Sequence, residues 1–268
     1  AKKPCLRITT NTGRTLECST DHPLLWSTPG KTKRVPGKRK GNECMKSWLW
    51  HKAELCKVGD QVGVIDEVPY FGDKKMWEPR LVGWLIGDGS YGNNKTPILS
   101  NCDEYINNYI LENFDTKVEK SYLTKDNKLY CETRIKGICK NLRELGIYGQ
   151  TRSNKTLPIN IDDYDFESLS ELIGGLYDTD GYIRVDKDGR VRVILTQAYD
   201  TLLKQLQILL IKFGISSSIR YIKYKNERVH ISNGKTIRSK NGEYRLEIND
   251  ITSVCKFADR IPLTVQYK

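Results

Sequence analysis

The sequence predicts an α+β protein in which one αββαββα unit occurs twice, after a small, mostly β-stranded segment. Residues 81–89 and 173–181 align without a gap, and each is an apolar helix that ends in Asp-Gly. The predicted elements after each copy also match in order: strands, an amphipathic helix, a further strand, and a final strand with its helix. Ahead of the repeats, apolar residues alternate along residues 5–26 around a polar turn, which predicts a hairpin.

These patterns divide the chain into three predicted parts. The mostly β segment covers 1–78, and its end, 69–79, is the best candidate for a linker because it holds two prolines and a glycine. Repeat one covers 79–158 and repeat two covers 159–268. A short helical turn is expected near 48–55, just before a strand at 58–62.

Composition narrows the classes of function. The net charge of +11 and a pI near 9.2 favour a polyanionic partner, because Lys and Arg release counterions from phosphates. Eight cysteines lack any C-x-x-C pair, so they do not fit a zinc or redox motif. Neither an apolar run of about 18 residues nor a signal-peptide pattern occurs. We therefore expect no membrane partner and an intracellular protein, in the cytoplasm, nucleoid or nucleus of its host.

Small residues lie four apart in each of the matched helices. They are Gly83 and Gly87 in the first, and Gly175 and Thr179 in the second. This spacing lines one helical face with nearly bare backbone, which lets two helices approach closely. Glycine costs about 1 kcal/mol in a helix relative to Ala, so its repeated use favours a packing role. We expect the two repeats to dock through this face.

An acid ends each matched helix, Asp88 in the first and Asp180 in the second. A carboxylate there meets the negative end of the helix dipole, so a cation should offset it. Asp-Gly after one helix is an ordinary stop signal, but two copies in matched contexts favour a shared site. Carboxylates suit Mg²⁺, with phosphate and water as further ligands. Gly87 and Thr179, which precede the acids, are added as candidate metal ligands.

These two segments resemble the paired motifs of single-chain LAGLIDADG homing endonucleases, and the resemblance covers residues 79–268. It implies a saddle of two antiparallel sheets over the DNA major groove, with the motif helices at the interface. It also implies that Asp88 and Asp180 are catalytic and bind Mg²⁺, for which Mn²⁺ substitutes. The implied activity is a double-strand cut in a long, asymmetric DNA target by a monomer.

The resemblance implies further polar residues at strand ends. Lys136 stands where the family has a basic residue at the end of a late strand, and Asn249 occupies the corresponding place in the second repeat. This difference implies an asymmetric site with unequal rates of cutting on the two strands. Asn101 and Gln197 match the polar residue that ends the earlier strand, although polar residues are common at strand ends.

Residues 5–66 resemble part of an intein splicing domain (a Hint module). The matching residues are 13–25, with His22 as the splicing-block histidine and Ser19 in place of the usual Thr, and 50–62. The sequence starts without a nucleophile-bearing segment and does not end in His-Asn. We therefore expect that this chain cannot splice, that His22 is vestigial and that the endonuclease is of intein origin. Spliced product would refute this.

Basic residues on the strands and in one loop are candidates for DNA contact, with Arg reading bases and Lys holding phosphates. Each one alone is more often an ordinary surface charge. The strand candidates are Lys117, Arg134, Arg184, Arg190, Arg192, Arg220, Lys223, Lys225, Arg228, Lys235, Arg238 and Arg245; the loop at 31–40 adds Lys33, Arg34, Lys38, Arg39 and Lys40.

Two other classes of function remain open. A non-cleaving nucleic-acid-binding protein on the same scaffold, an RNA maturase or a transcription regulator, would tolerate loss of the acids. Both acids are present, which favours the endonuclease. A self-processing Hint module would depend on His22.

Overall fold

The computed structural model describes residues 2–28, 48–124, 127–223, 228–232, 235–239 and 242–265, with only the backbone for 228–232 and 235–239. The chain forms two compact units, Ala1–Ile65 and Asp66–Lys268. In the described part, none of the helices combines the length and the apolar character needed to cross a membrane.

The first unit consists of short strands. Strands β1 (Cys5–Thr9) and β2 (Thr15–Ser19) pair antiparallel, which confirms the predicted hairpin. Gly13 occupies the turn with a φ of 84°, a left-handed conformation that suits glycine. Strand β3 (Pro23–Ser27) lies between β4 (Leu49–Lys52) and β5 (Gln61–Val62). The helical turn predicted near 48–55 was wrong in part: β4 comes first, and only Ala53–Leu55 forms a turn of 3₁₀ helix.

The second unit begins with one αββαββα series. Its elements are α1 (Pro79–Asp88), β6 (Gly89–Ser90), β7 (Ile98–Asn101), α2 (Glu104–Asn113), β8 (Thr116–Leu123), β9 (Leu129–Ile135) and α3 (Cys139–Glu144). The strands form an antiparallel sheet in the order β6-β7-β9-β8. The Asp103 side chain caps α2 by accepting a hydrogen bond from the backbone N–H of Ile106.

The same series follows again. Its elements are α4 (Phe166–Asp180), β10 (Gly181–Val185), β11 (Val191–Gln197), α5 (Thr201–Lys212), β12 (Ser218–Ile222), β13 (Arg228–Ser232), β14 (Lys235–Ser239), β15 (Glu243–Ile248) and α6 (Ile251–Arg260). The sheet order β10-β11-β15-β12 matches the first sheet position by position. The predicted α+β class is confirmed. The hairpin β13–β14, inserted before the last strand, was not predicted.

Helices α1 and α4 pack against each other through their small residues. A Cβ atom at Gly83 would overlap the backbone of Leu172, and one at Gly175 would overlap the carbonyl oxygen of Arg80. Further along, Gly87 lies directly against the Thr179 side chain. The two backbones therefore approach so closely that these positions leave no room for larger residues.

The segment 66–78 belongs to the second unit and packs against the region where α4 begins, whereas the sequence prediction put 1–78 in the first domain and a linker at 69–79. The backbone N–H of Gly72 donates to Tyr164 O at 2.9 Å, and that of Met76 donates to Ser168 Oγ at 2.9 Å. Lys75 pairs with Asp165 at 2.8 Å. These contacts fix the approach to α1 against the start of α4.

Glu67 anchors this segment to α6, and we expect this anchor to depend on pH. Hydrogen bonds from Arg260 and Lys256 hold the pKa of Glu67 below its usual range. A lowered carboxyl pKa stabilises the fold above the unfolded value, about 4.3, and this stabilisation is lost as the pH falls through the folded value.

Glu67→Gln should therefore lower the free energy of unfolding at pH 7. In acid, the free energies of unfolding of the variant and the wild type should become equal. Urea unfolding across this range measures both. Glu112→Gln, an exposed change on α2, is the control and should have little effect. If Glu67→Gln lowered the free energy of unfolding by the same amount at every pH, the stabilisation would not come from the charge of Glu67.

Candidate active site

A cavity of about 590 Å³ lies where α1 and α4 end. Asp88 and Asp180, the last residues of the two helices, both line it. Each acid is half-buried. The remaining lining residues are Gly87, Gly89, Ser90, Gly92, Lys95, Gln150, Thr151, Arg152, Lys155, Thr196, Gln197, Ala198, Gly242 and Glu243.

Each acid accepts a hydrogen bond from an amide at the end of a neighbouring strand. Asn101 Nδ2 donates to Asp88 Oδ2 at 2.7 Å, and Gln197 Nε2 donates to Asp180 Oδ2 at 2.5 Å. These two hydrogen bonds arise in the same way in both halves. Each helix leads directly into a short strand, and that strand pairs with the strand that carries the amide. The two amides hold one oxygen of each acid in a matched geometry.

Lys155 brings a positive charge to the ends of both helices. Its Nζ donates to the carbonyl oxygen of Gly87 at 2.5 Å. Burial lowers the pKa of Lys155, while the charges of Asp180 and Asp88 act in the opposite direction. Both acids thus act on the same ammonium group, and that group lies at the negative end of α1.

Lys155 and two further cations of the cavity, Lys95 and Arg152, were missed from the sequence. All three lie in loops of the first half, where no periodic pattern marks a position. The basic residues in the stretch 152–155 were a weak signal, and nothing in the sequence connected them to acids that lie far away along the chain.

The structure places Lys136 and Asn249 away from this cavity. Asn101, beside Asp88, pairs with Cys131 in the register, and Lys136 lies five residues further along, or about 17 Å. Lys136 instead pairs with Asp115 at 3.0 Å. In the second half Gln197 pairs with Tyr244, so Asn249 also lies five residues away, at the far end of its sheet.

The oxygen atoms at the helix ends are compatible with a hard divalent cation. The donors are the carboxylates of Asp88 and Asp180, which are ligands that Mg²⁺ prefers, whereas the Gly87 carbonyl already accepts from Lys155 Nζ at 2.5 Å. Thr179 Oγ1 donates a hydrogen bond to the carbonyl oxygen of Leu176 at 3.0 Å. Within the described ranges, no group of three His, Cys, Asp or Glu side chains could hold a metal. A bound cation would therefore need water or phosphate oxygens as well.

Four arginines line one face of the second sheet. The register places Arg184 beside Arg192, and Arg245 beside Arg220. Their side chains alternate with the buried row Val193, Leu195, Leu246 and Ile248, so they lie on the opposite face of the sheet. This face therefore carries four arginine side chains, and Glu243 and Glu247 lie among them on the same face.

Acidic neighbours orient most of these arginines. Arg184 and Arg192 both bind Asp186, and their contacts hold the pKa of Asp186 below its usual range. Arg245 binds Glu243 through its Nε at 2.7 Å. Fixed guanidinium groups lose less conformational freedom when they bind a ligand.

The other candidates for DNA contact are distributed more widely. On the first sheet, Arg134 lies beside Lys117 in the register and binds Glu119 at 2.8 Å. Arg190 binds Asp188 in the β10–β11 turn, and Lys223 is exposed just after β12. Arg228, Lys235 and Arg238 belong to β13 and β14. The candidates Lys225, Lys33, Arg34, Lys38, Arg39 and Lys40 lie outside the described residues.

In the first unit, His22 is exposed at the start of β3. Its backbone N–H donates to Ser19 O, and its carbonyl accepts from Ala53 N at 2.8 Å. A second histidine of this unit, His51, packs on Trp26 with ring centroids 5.0 Å apart.

Comparison with known families identifies part of this architecture. Residues 167–262, which contain all of α4 except its first residue and all of the second sheet, match the family described as LAGLIDADG-like domain. The chain therefore contains one LAGLIDADG-like domain, which suggests a DNA-binding or DNA-cleaving protein of the homing-endonuclease type.

Curated relatives match most of the chain. It is 32% identical over 232 residues to the ATP-dependent DNA helicase Hel308 of Methanocaldococcus jannaschii, covering 81% of this chain and 18% of the helicase. It is 26% identical over 258 residues to Protein RecA of Mycobacterium tuberculosis, covering 90% of this chain and 30% of that protein. The match to the replication factor C small subunit of M. jannaschii is 25% identical over 284 residues, covering 98% of this chain and 13% of that protein. The chain spans less than a third of each relative.

Proposed function

We propose that this protein is a site-specific endonuclease that hydrolyses both strands of double-stranded DNA with a divalent metal ion. The observation that carries the proposal is the pair of acids, Asp88 and Asp180, which line one cavity at the ends of two packed helices. A second repeat of the same elements supports it, because two matched half-sites suit two strands of opposite direction.

In this proposal, the carboxylates of Asp88 and Asp180 would hold Mg²⁺ or Mn²⁺. Gly87 and Thr179 would add backbone oxygens, which for Gly87 requires Lys155 Nζ to leave the oxygen to which it donates at 2.5 Å. The metal would supply charge stabilisation at the scissile phosphate and lower the pKa of attacking water. Asn101 and Gln197 hold the acids in place through the amide contacts described above.

The cations of the cavity provide the complementary part of the site. Lys155, Arg152 and Lys95 all line it, and their charges can hold the phosphate that is to be cut. All three come from the first half, so the two strands would meet unequal surroundings. We therefore expect the two DNA strands to be cut at unequal rates. The reason is the position of these cations in the first half, and not the difference between Lys136 and Asn249.

We infer that the arginine-bearing sheet faces form a saddle on the DNA duplex, with the protein acting as a monomer on a long asymmetric site. Arg184, Arg192, Arg220 and Arg245 are the proposed readers of the second half, and Arg134 with Lys117 belongs to the first. A two-stranded or wider β surface fits the major groove, where arginine discriminates guanine.

The relatives support an inserted, intein-type origin. A RecA protein, a helicase and a replication factor subunit each match most of this chain, yet the match covers only 13–30% of each. One segment shared by three differently named proteins is expected of a mobile element rather than of a common domain. The Hint resemblance of 5–66 agrees with this origin.

A selection experiment tests the function without knowledge of the host gene. A library of randomised duplexes is incubated with the protein and Mg²⁺, cleaved molecules are recovered, and the recovered site is cloned into a plasmid. We expect a linear plasmid with Mg²⁺ or Mn²⁺ and intact plasmid with EDTA. Enrichment by binding alone, without cleavage, would instead favour a non-cleaving DNA-binding protein and overturn the proposal.

Lys155 gives a sharper prediction about the site. Lys155→Met should lower the single-turnover cleavage rate by about 10²-fold, the usual effect of losing one group that stabilises the transition state. Lys155→Arg, which keeps the charge, should retain more activity. The matched control is Lys136→Met, which removes a lysine about 17 Å along the sheet from Asn101 and should cut normally. Equal losses in the two Met variants would contradict the assignment of Lys155.

A further inference from the structure

Residues 260–265, here called the C-terminal strap, run along one face of α4. Ser170 Oγ donates to the carbonyl oxygen of Arg260, and Gly174 lies so close to the Pro262 carbonyl that a Cβ atom there would overlap it. The strap then reaches Asp178, which accepts from the backbone N–H of Thr264 at 2.9 Å.

The spacing of these contacts shows the direction of the strap. The three α4 residues are each four apart, one helical turn or about 6 Å, and the three strap residues are each two apart, or about 6.6 Å when extended. The strap therefore runs parallel to α4 and leads toward its carboxyl end, where Asp180 lies two residues beyond the last contact.

Asp178 joins the strap to both helices. Its side chain is fully buried and accepts from Thr264 Oγ1 at 2.7 Å and from Val265 N at 3.3 Å. It also accepts from Arg80 Nη1 at 3.1 Å and from Trp84 Nε1 at 3.2 Å, both on α1. A buried carboxylate is stable only when its acceptor sites are used, and here donors from two segments, α1 and the strap, use them.

We propose that Asp178 is a positioning residue: together with the strap it fixes the last turn of α4 against α1, and so sets where Asp180 lies relative to Asp88. The aligned residue of the first motif is Ile86, so this device belongs to the second half alone. The inference rests on the proposed function only in that Asp180 takes part in cleavage.

Hydrogen–deuterium exchange tests the positioning without DNA. Thr264→Val removes the hydroxyl donor to Asp178 but keeps the backbone bond and the side-chain shape. We expect amides at 177–181 to exchange about tenfold faster, since a hydrogen bond to a charged group commonly changes local stability by that factor. Ser170→Ala, two turns further from Asp180, is the control and should leave these amides unchanged. Unchanged exchange in Thr264→Val, or equal acceleration in both variants, would overturn the proposal.

A kinetic measurement separates positioning from simple stability. In the cleavage assay, Thr264→Val should lower the single-turnover rate several-fold with an unchanged KM for DNA, while Ser170→Ala should cut at the wild-type rate. Ser170→Ala also removes a hydrogen bond of the strap, so it reports the effect of lower stability alone. If Ser170→Ala lowered both the Tm and the cleavage rate, loss of stability would explain the slower cleavage, and the positioning role would be contradicted. If the wild type does not cut any DNA, the proposed function fails, and the exchange result still decides the role of Asp178.

Discussion

Asp88→Asn and Asp180→Asn should each lower the rate of double-strand cleavage by about 10³-fold. Each variant would lose one proposed metal ligand, and charge stabilisation by a metal lowers the activation barrier by several kcal/mol. Asn keeps the shape of the side chain and an oxygen that can still accept from Asn101 or Gln197. DNA binding should persist and become slightly tighter, since a negative charge near phosphates is removed. Single-turnover cleavage and a separate binding titration measure the two effects.

The matched control for this loss is Asp259→Asn, which changes the same charge at an exposed position of α6. Its cleavage rate should equal that of the wild type. Full activity in either Asp88→Asn or Asp180→Asn would show that the paired acids are not the catalytic centre. Loss of DNA binding in these variants would show that they act on the fold or on recognition instead of on chemistry.

Gly83→Ala is expected to have the largest effect on stability. In a free helix this change would gain about 1 kcal/mol. Here the new methyl group would overlap the backbone of Leu172 and Leu176, which cannot turn away as a flexible side chain can. We expect a net loss of about 1–3 kcal/mol, typical of overpacking, as α1 and α4 are forced apart. At about 2–4 °C per kcal/mol, thermal unfolding should show a clear fall in Tm.

Gly92→Ala is the control for Gly83→Ala. A Cβ atom at Gly92 would meet no heavy atom within 4 Å, and this residue lies outside the helices. Its Tm should remain close to that of the wild type. If Gly83→Ala were as stable as Gly92→Ala, the helices would not depend on the close approach that brings Asp88 and Asp180 to one cavity.

Much of the fold could be predicted because its signals are periodic and occur twice. The matched Asp-Gly helices predicted α1 and α4 and their acids. Asn101 and Gln197 were candidates through the family resemblance alone, and in the structure they donate hydrogen bonds to those acids. Each of these signals is local: it depends on residues close together in the chain, and the repeat provides an independent second copy.

The remaining parts of the site depend on contacts that a single sequence does not encode locally. Lys136 was a candidate because the family has a basic residue at the end of a late strand, but the antiparallel register carries that strand end away from the acids. Lys155 reaches Gly87 from an irregular loop, which has no periodicity to read. Asp178 did leave a signal, a carboxyl group in the otherwise uncharged stretch 172–179, where the first motif has Ile86.

The proposed cleavage depends above all on one contact: the carboxylates of Asp88 and Asp180 would hold a shared divalent cation against the DNA backbone. A crystal of the protein with its selected DNA target and Mn²⁺ tests this directly through the anomalous scattering of manganese. We predict anomalous peaks in contact with both carboxylates and with a phosphate oxygen. Manganese bound elsewhere, with these two acids in contact with protein groups alone, would contradict the account.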